Sequence, residues 1–303
     1  MMDDYKNLDV LLKLYKSGQL YGGWLLIGPK GVGKARTAYK FASEVYKKSI
    51  ENLKSGSHGA FKILECDLTE EEKKKRQALI DAGKELDPEE EAQRSRKTSI
   101  SIDEVRKVID FTGFKAFETE PKIILVDSMN DMQEEAANAF LKTLEEPPER
   151  TAFLLICHNE HRLLDTIKSR CRKIYFKRLS DDEMKSIVKD KEIAALANGC
   201  PGRALKIEAQ KENIARLKDG INLKDYKKIA AEIDKLLKME EGDVTIKTVI
   251  LNEMYERSKE GSKAQQKKIS DLFAETEKRF RQMDGLYLDK KNIFINQIEK
   301  IWN

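Results

Sequence analysis

Apolar positions along the chain fall into two registers. Near the amino end, Leu8, Leu11, Leu12 and Tyr15 recur at helical spacing, which predicts a helix over residues 5–15. Three short runs are apolar on both faces: Trp24-Leu25-Leu26-Ile27, Ile123-Ile124-Leu125-Val126 after Pro121, and Ala152-Phe153-Leu154-Leu155-Ile156. Such runs are expected of strands buried in a parallel sheet. Phe61-Lys62-Ile63-Leu64 alternates and predicts another strand, and Lys173-Ile174-Tyr175-Phe176 is the last strand signal.

Helical spacing fills the intervals. It is carried by Ala38, Phe41, Ala42, Val45 and Tyr46, then by Val105, Val108 and Ile109 behind a Ser101…Glu104 capping pair, then by residues 133–144. Strands alternating with helices predict an α/β fold with a doubly wound parallel sheet. From Asp181 to Ala197 the pattern is helical, followed by the tight turn Gly199-Cys200-Pro201-Gly202. Beyond Asn213, helices are expected to be separated at Gly220, at Glu241-Gly242-Asp243 and at Gly261-Ser262, with a last helix over 291–302. The boundaries read as an α/β domain over 1–177, a small helical lid over 178–210 and an all-helical domain over 211–303. A charged stretch over 69–97, with Glu70-Glu71-Glu72-Lys73-Lys74-Lys75-Arg76 and Glu89-Glu90-Glu91, reads as a solvated helical insertion or loop.

Composition narrows the class. Hydrophobic residues make up 40% of the 303 residues and charged residues 36%, which excludes a disordered chain and implies many solvated helix faces. The net charge of +4 argues against a polycationic nucleic-acid binder, although a local basic stripe could meet phosphates. No apolar run approaches the roughly 20 residues of a membrane span, and Met1-Met2-Asp3-Asp4 lacks an export pattern, so a cytoplasmic protein without a membrane partner is expected. Cys66, Cys157, Cys171 and Cys200 form no pair at metal-ligand spacing, and no zinc site is expected. Cys157, within an apolar run, reads as a buried thiol. His158 and His161 have no cysteine partner and read as polar loop residues.

The candidate chemistry starts at Gly28-Pro29-Lys30-Gly31-Val32-Gly33-Lys34, which follows a strand and opens a helix. That is the context of a Walker A phosphate loop, with Gly28, Pro29, Gly31, Val32, Gly33 and Lys34 as candidate binding residues. Asp127 ends a buried strand, where a Walker B carboxylate would stand. Two fittings are missing. Ala35 replaces the hydroxyl that holds magnesium, and Ser128 replaces the second carboxylate. Thr37 is an imperfect substitute, since two residues turn a helix by roughly 200°. The residues leave open a weak nucleotide site and a tight turn that packs strand on helix; hydrolysis by the chain itself is disfavoured.

Further motifs follow in order: Leu141-Lys142-Thr143-Leu144-Glu145-Glu146-Pro147-Pro148, then an apolar strand, then Ile167-Lys168-Ser169-Arg170-Cys171. With the two Walker segments they cover residues 20–176, and together they resemble the clamp-loader branch of the AAA+ proteins, most closely its bacterial delta-prime type. The resemblance implies an AAA+ sheet domain, a helical lid and a helical collar. It implies a non-hydrolysing stator subunit that binds ATP weakly or not at all. The expected partners are ATP-hydrolysing motor subunits and a clamp-opening subunit in a hetero-pentameric ring, and through that complex a sliding clamp and primed DNA. Arg170 would act in trans as an arginine finger on a neighbour's nucleotide. The rival readings are an ATP-hydrolysing motor subunit and a nucleotide-sensing adaptor outside replication.

The sequence departs from the family in places. His158 stands near the first sensor, usually Asn or Thr, and Arg203 lies one position off the second sensor arginine, so no role passes to it. A four-cysteine zinc module common in the family is replaced by the charged stretch over 69–97. Without the resemblance, Arg170 reads as a loop charge or a phosphate contact, and Glu145-Glu146-Pro147-Pro148 as an ordinary helix stop.

Overall fold

The computed structural model describes residues 2–56, 58–81, 97–113, 120–239, 242–259, 262–283 and 289–302. Its first unit comprises residues 1–187 and 199–201, and its second residues 188–198 and 202–303.

Five strands form the sheet of the first unit: β1 (Gly22–Ile27), β2 (Phe61–Glu65), β3 (Lys122–Asp127), β4 (Thr151–Cys157) and β5 (Cys171–Tyr175). They are ordered β2-β3-β4-β1-β5, and every pairing is parallel. The doubly wound expectation holds. Because successive side chains point to opposite faces, each apolar run feeds two cores. Trp24, Leu26, Ile123, Leu125, Leu154 and Ile156 join one cluster with helices α1 (Met2–Lys16), α2 (Lys34–Tyr46) and α3 (Ile50–Lys54). Leu25, Ile27, Ile124, Val126, Phe153 and Leu155 join the other. On that face lie α5 (Ile102–Gly113), α6 (Glu134–Glu145) and α7 (Asp165–Lys168), represented by Val105, Phe140 and Ile167.

The charged stretch begins as the helix α4 (Glu70–Asp81), which buries none of its residues. The rest of that expected insertion, residues 82–96, lies outside the described residues. Helix α6 stops at Glu145, two residues before Pro147-Pro148, as the sequence predicts. The last strand starts at Cys171, two residues earlier than its alternation indicated, which places the residue after Arg170 in the ladder. Helix α8 (Asp181–Lys185) follows, closed by a Ser180–Glu183 capping box.

The second unit contains α9 (Lys191–Ala197), most of α10 (Pro201–Ala209), and α11 (Lys211–Leu223), α12 (Tyr226–Leu237), α13 (Gly242–Ser258), α14 (Lys263–Met283) and α15 (Lys290–Trp302). Its core is mostly aliphatic, with Leu217, Ile233, Leu236, Val249 and Ile250 fully enclosed beside the aromatic ring of Phe294. One expectation fails here. Gly220 does not separate helices but lies within α11, and the break comes at Lys224 in the left-handed region, with Asp225 capping α12. A Cβ at Gly220 would stand 2.9 Å from Ile229 Cγ1, so the glycine serves close packing of two helices. No helix among the described residues is long and apolar enough to cross a membrane.

Candidate functional site

The phosphate loop occupies the carboxyl edge of the sheet, where α/β folds place their ligands. Gly31 and Gly33 have φ of 83° and 113°, a region that glycine enters without steric cost. Gly28 is pressed against the chain leaving β5, since a Cβ there would lie 2.4 Å from the Phe176 carbonyl oxygen. Its amide donates to the Cys157 carbonyl at 3.1 Å. Pro29 fixes the turn, and Val32 is buried in the core. Gly33 precedes α2 without a capping side chain, so the helix presents its amino-terminal dipole to the loop.

Lys34 is 3% exposed. Its ammonium donates to the carbonyls of its own loop, Gly28 at 2.5 Å and Pro29 at 2.8 Å. Burial lowers its pKa to about 8, with the charge of Asp127 acting in the opposite direction. Asp127 faces Glu65 in the ladder. Burial first, and then the Glu65 charge, raise the Asp127 pKa, while Lys34 and Lys30 oppose them.

The remaining positions near this loop offer little to a metal. Ala35 packs on the apolar cluster. The Ser128 hydroxyl donates to Asp131 at 2.7 Å. Thr37 Oγ1 is buried without a hydrogen-bond partner. The glycine loop and uncapped helix therefore fit a phosphate group, whereas the donor set does not fit the magnesium of a hydrolytic site. At the end of β4, the Asn130 side chain accepts from the His158 and Asn159 amides at 2.6 and 3.1 Å and donates to the Asn159 carbonyl at 2.8 Å.

Arg170 stands elsewhere. Cys171 is the ladder partner of Gly23, whereas the loop begins after Ile27, whose partner is Tyr175. Arg170 thus lies at the amino edge of the sheet, on the order of 15–20 Å from the chain's own loop at about 3.3 Å per strand residue. Its guanidinium donates through Nε to Glu145 Oε1 at 2.7 Å, with Nη2 at 2.5 Å from the same oxygen. Nη1 donates to the Thr166 carbonyl at 2.8 Å and to Ser169 Oγ at 3.3 Å. One third of the Arg170 side chain is exposed. Next to it, Ser169 helps line a cavity of about 550 Å³ with Glu160, His161, Asp165, Lys168 and Lys173. Two ion pairs border that cavity, Lys168–Asp165 at 2.6 Å and Lys173–Glu160 at 2.7 Å.

The structure therefore groups Gly28, Pro29, Gly31, Val32, Gly33, Lys34 and Asp127 at one edge and leaves Arg170 at the other. Sequence reasoning missed the contacts of Glu65, Asn130 and Glu145. Glu145 carried a signal, since it belongs to the same motif set as Arg170, but nothing along the chain indicates that the two motifs meet.

Residues 4–180 match the family described as DNA polymerase III, delta subunit. The chain is 31% identical over 234 residues to the DNA polymerase III subunit delta' of Pseudomonas aeruginosa, covering 69% of this chain and 62% of that protein. It is 27% identical over 212 residues to the DNA polymerase III subunit gamma of Buchnera aphidicola, covering 70% of this chain and 53% of that protein. The chain thus spans between half and two thirds of these relatives. In fold it is similar to a DNA polymerase III gamma subunit-related protein from Thermotoga maritima, with a TM-score of 0.58 and 19% identity over 97% of this chain and 98% of that one.

Proposed function

Because the chain belongs to the DNA polymerase III delta-subunit family and is delta-prime-like, we propose that it is the non-hydrolysing stator of a clamp loader in DNA replication. It works within a hetero-pentameric ring with motor subunits and a clamp-opening subunit, helping to load a sliding clamp onto primed DNA. It lends Arg170 to the nucleotide of a neighbouring motor subunit.

The observation that carries this reading is the position of Arg170, partly exposed and separated by the length of β1 from the loop of its own chain. A guanidinium there has no phosphate to serve within the chain, yet its planar fork suits phosphoryl oxygens presented by another subunit. In the transition state of phosphoryl transfer, such a cation offsets charge that develops on the transferred group. The chain's own loop lacks a hydroxyl at Ala35 and a second carboxylate at Ser128, so it holds ATP weakly or acts as a structural turn.

The test is Arg170→Ala in the reconstituted complex. DNA-stimulated ATP turnover falls about 10³-fold or more at the site that Arg170 serves, while sedimentation shows an intact ring. Unchanged turnover refutes the finger role. The gamma-type relative and the retained pair of Lys34 and Asp127 favour one second reading, a motor subunit. Robust turnover by the purified chain, abolished by Lys34→Ala, would establish it.

A further inference from the structure

Glu145 and Arg170 belong to two motifs 25 residues apart, and the fold joins them in an ion pair at the surface. An arginine side chain has five N–H donors. Here Nε and Nη2 are directed at one oxygen of Glu145, and Nη1 meets the Thr166 carbonyl and Ser169 Oγ. Three donors, one on Nε and two on Nη1, are thereby engaged in hydrogen bonds, and Nη2 is held by the ion pair with the same Glu145 oxygen. Each of the two edges of the guanidinium, Nε with Nη2 and Nη1 with Nη2, thus has a member already engaged, whereas a bidentate phosphate contact requires two free parallel donors.

The two sides of the guanidinium are held differently. Nη1 is fixed by neighbours on its own segment, one of them a backbone carbonyl in α7. The other side is held by a single carboxylate at the end of α6, and the Glu145 side chain is 45% exposed. Among the described residues, Glu145 pairs with Arg170 alone. An approaching polyanion can compete for that side without disturbing the Nη1 contacts.

Resting on the finger reading above, we infer that Glu145 is the positioning residue of Arg170, an internal anion that holds the guanidinium in register in the free subunit and is displaced by the nucleotide phosphates of a neighbour. Thr166 and Ser169 form the pivot that stays in place. The exchange makes the arginine's engagement depend on phosphate charge.

The experiment is an ATP titration of the complex reconstituted with a gamma-type DNA polymerase III subunit, using Glu145→Gln, Glu145→Ala and Arg170→Ala. Glutamine keeps an acceptor oxygen and loses the competing charge. With Glu145→Gln, the ATP concentration at half-maximal turnover falls about three- to tenfold, a shift larger than any change in maximal turnover. With Glu145→Ala the register is lost, so maximal turnover falls and half-saturation rises; recovery in the glutamine variant separates positioning from general stability. Wild-type half-saturation in Glu145→Gln, beside collapsed turnover in Arg170→Ala, overturns the role of Glu145 and leaves the finger standing. A Glu145→Gln complex as impaired as Arg170→Ala overturns displacement, because the charge would then be required. Wild-type behaviour in both Glu145→Gln and Arg170→Ala removes the finger reading and this inference with it.

Discussion

Gly23→Ala is the change that links the sheet to the arginine most directly. An ideal Cβ at Gly23 would lie 2.8 Å from Cys171 Sγ, 3.3 Å from Leu144 Cδ2 and 3.7 Å from the Arg170 carbonyl oxygen. Contact between such heavy atoms is favourable near 3.5–4.0 Å, so the sulfur is roughly 0.7–1.2 Å too close. Neither tight neighbour yields freely. Cys171 is pinned in the ladder opposite Gly23, and Leu144 is the penultimate residue of α6, adjoining Glu145. Overpacking of this kind costs about 1–3 kcal/mol, against a gain of about 0.5–1 kcal/mol when alanine replaces a strand glycine. The net expectation is a loss of about 0–2.5 kcal/mol. A double-mutant cycle isolates the clash: with Cys171→Ala the sulfur is gone, Gly23→Ala becomes neutral or stabilising, and the coupling is about 1–3 kcal/mol. Urea unfolding followed by circular dichroism measures all four corners. Equal cost of Gly23→Ala in both backgrounds would refute the steric account.

Two further predictions concern the loop. Lys34 has a folded-state pKa near 8, below its ordinary 10.5, so between those values the unfolded chain binds more protons and stability rises with pH. That gain, up to about 3 kcal/mol, should be absent from Lys34→Met; a wild-type-minus-mutant difference that stays flat from pH 7.5 to 10.5 would contradict it. Thr37→Val removes a buried hydroxyl without a partner and should raise the unfolding free energy by about 1 kcal/mol. A lower value in urea unfolding would mean that the hydroxyl makes a stabilising contact.

The sheet was legible because its strands carry a local signal. An apolar run such as Ile123-Ile124-Leu125-Val126 needs cover on both faces, and the two core clusters supply it. The phosphate loop was legible for a similar reason, since its glycines, lysine and flanking elements are contiguous. Contacts across the ladder were not. Glu65 and Asp127 are 62 positions apart in sequence and neighbours by register alone. Gly220 misled because glycine interrupts a helix by propensity but can also sit inside one where another helix approaches, and only packing distinguishes the two. The Glu145–Arg170 pair depends on α6 and the α7–β5 corner reaching the same edge, which no periodicity encodes.

The placement of β5 offers a physical reason for a chain without hydrolytic fittings to keep its phosphate loop. β5 runs from Cys171 beside Gly23 to Tyr175 beside Ile27, and its last neighbour, Phe176, donates its amide to the Ile27 carbonyl at 2.7 Å. Gly28 packs on the Phe176 carbonyl, and Lys34 ties the loop shut through Gly28 and Pro29. The loop therefore clamps one end of the strand whose other end presents Arg170. β5 is an edge strand, paired on one side by β1, so its position rests on that ladder and on such end contacts. Loss of the magnesium hydroxyl at position 35 leaves these contacts untouched, whereas loss of Lys34 or Gly28 would loosen the element that carries the arginine. On this argument, retention of the loop and loss of its metal groups are consistent with one task.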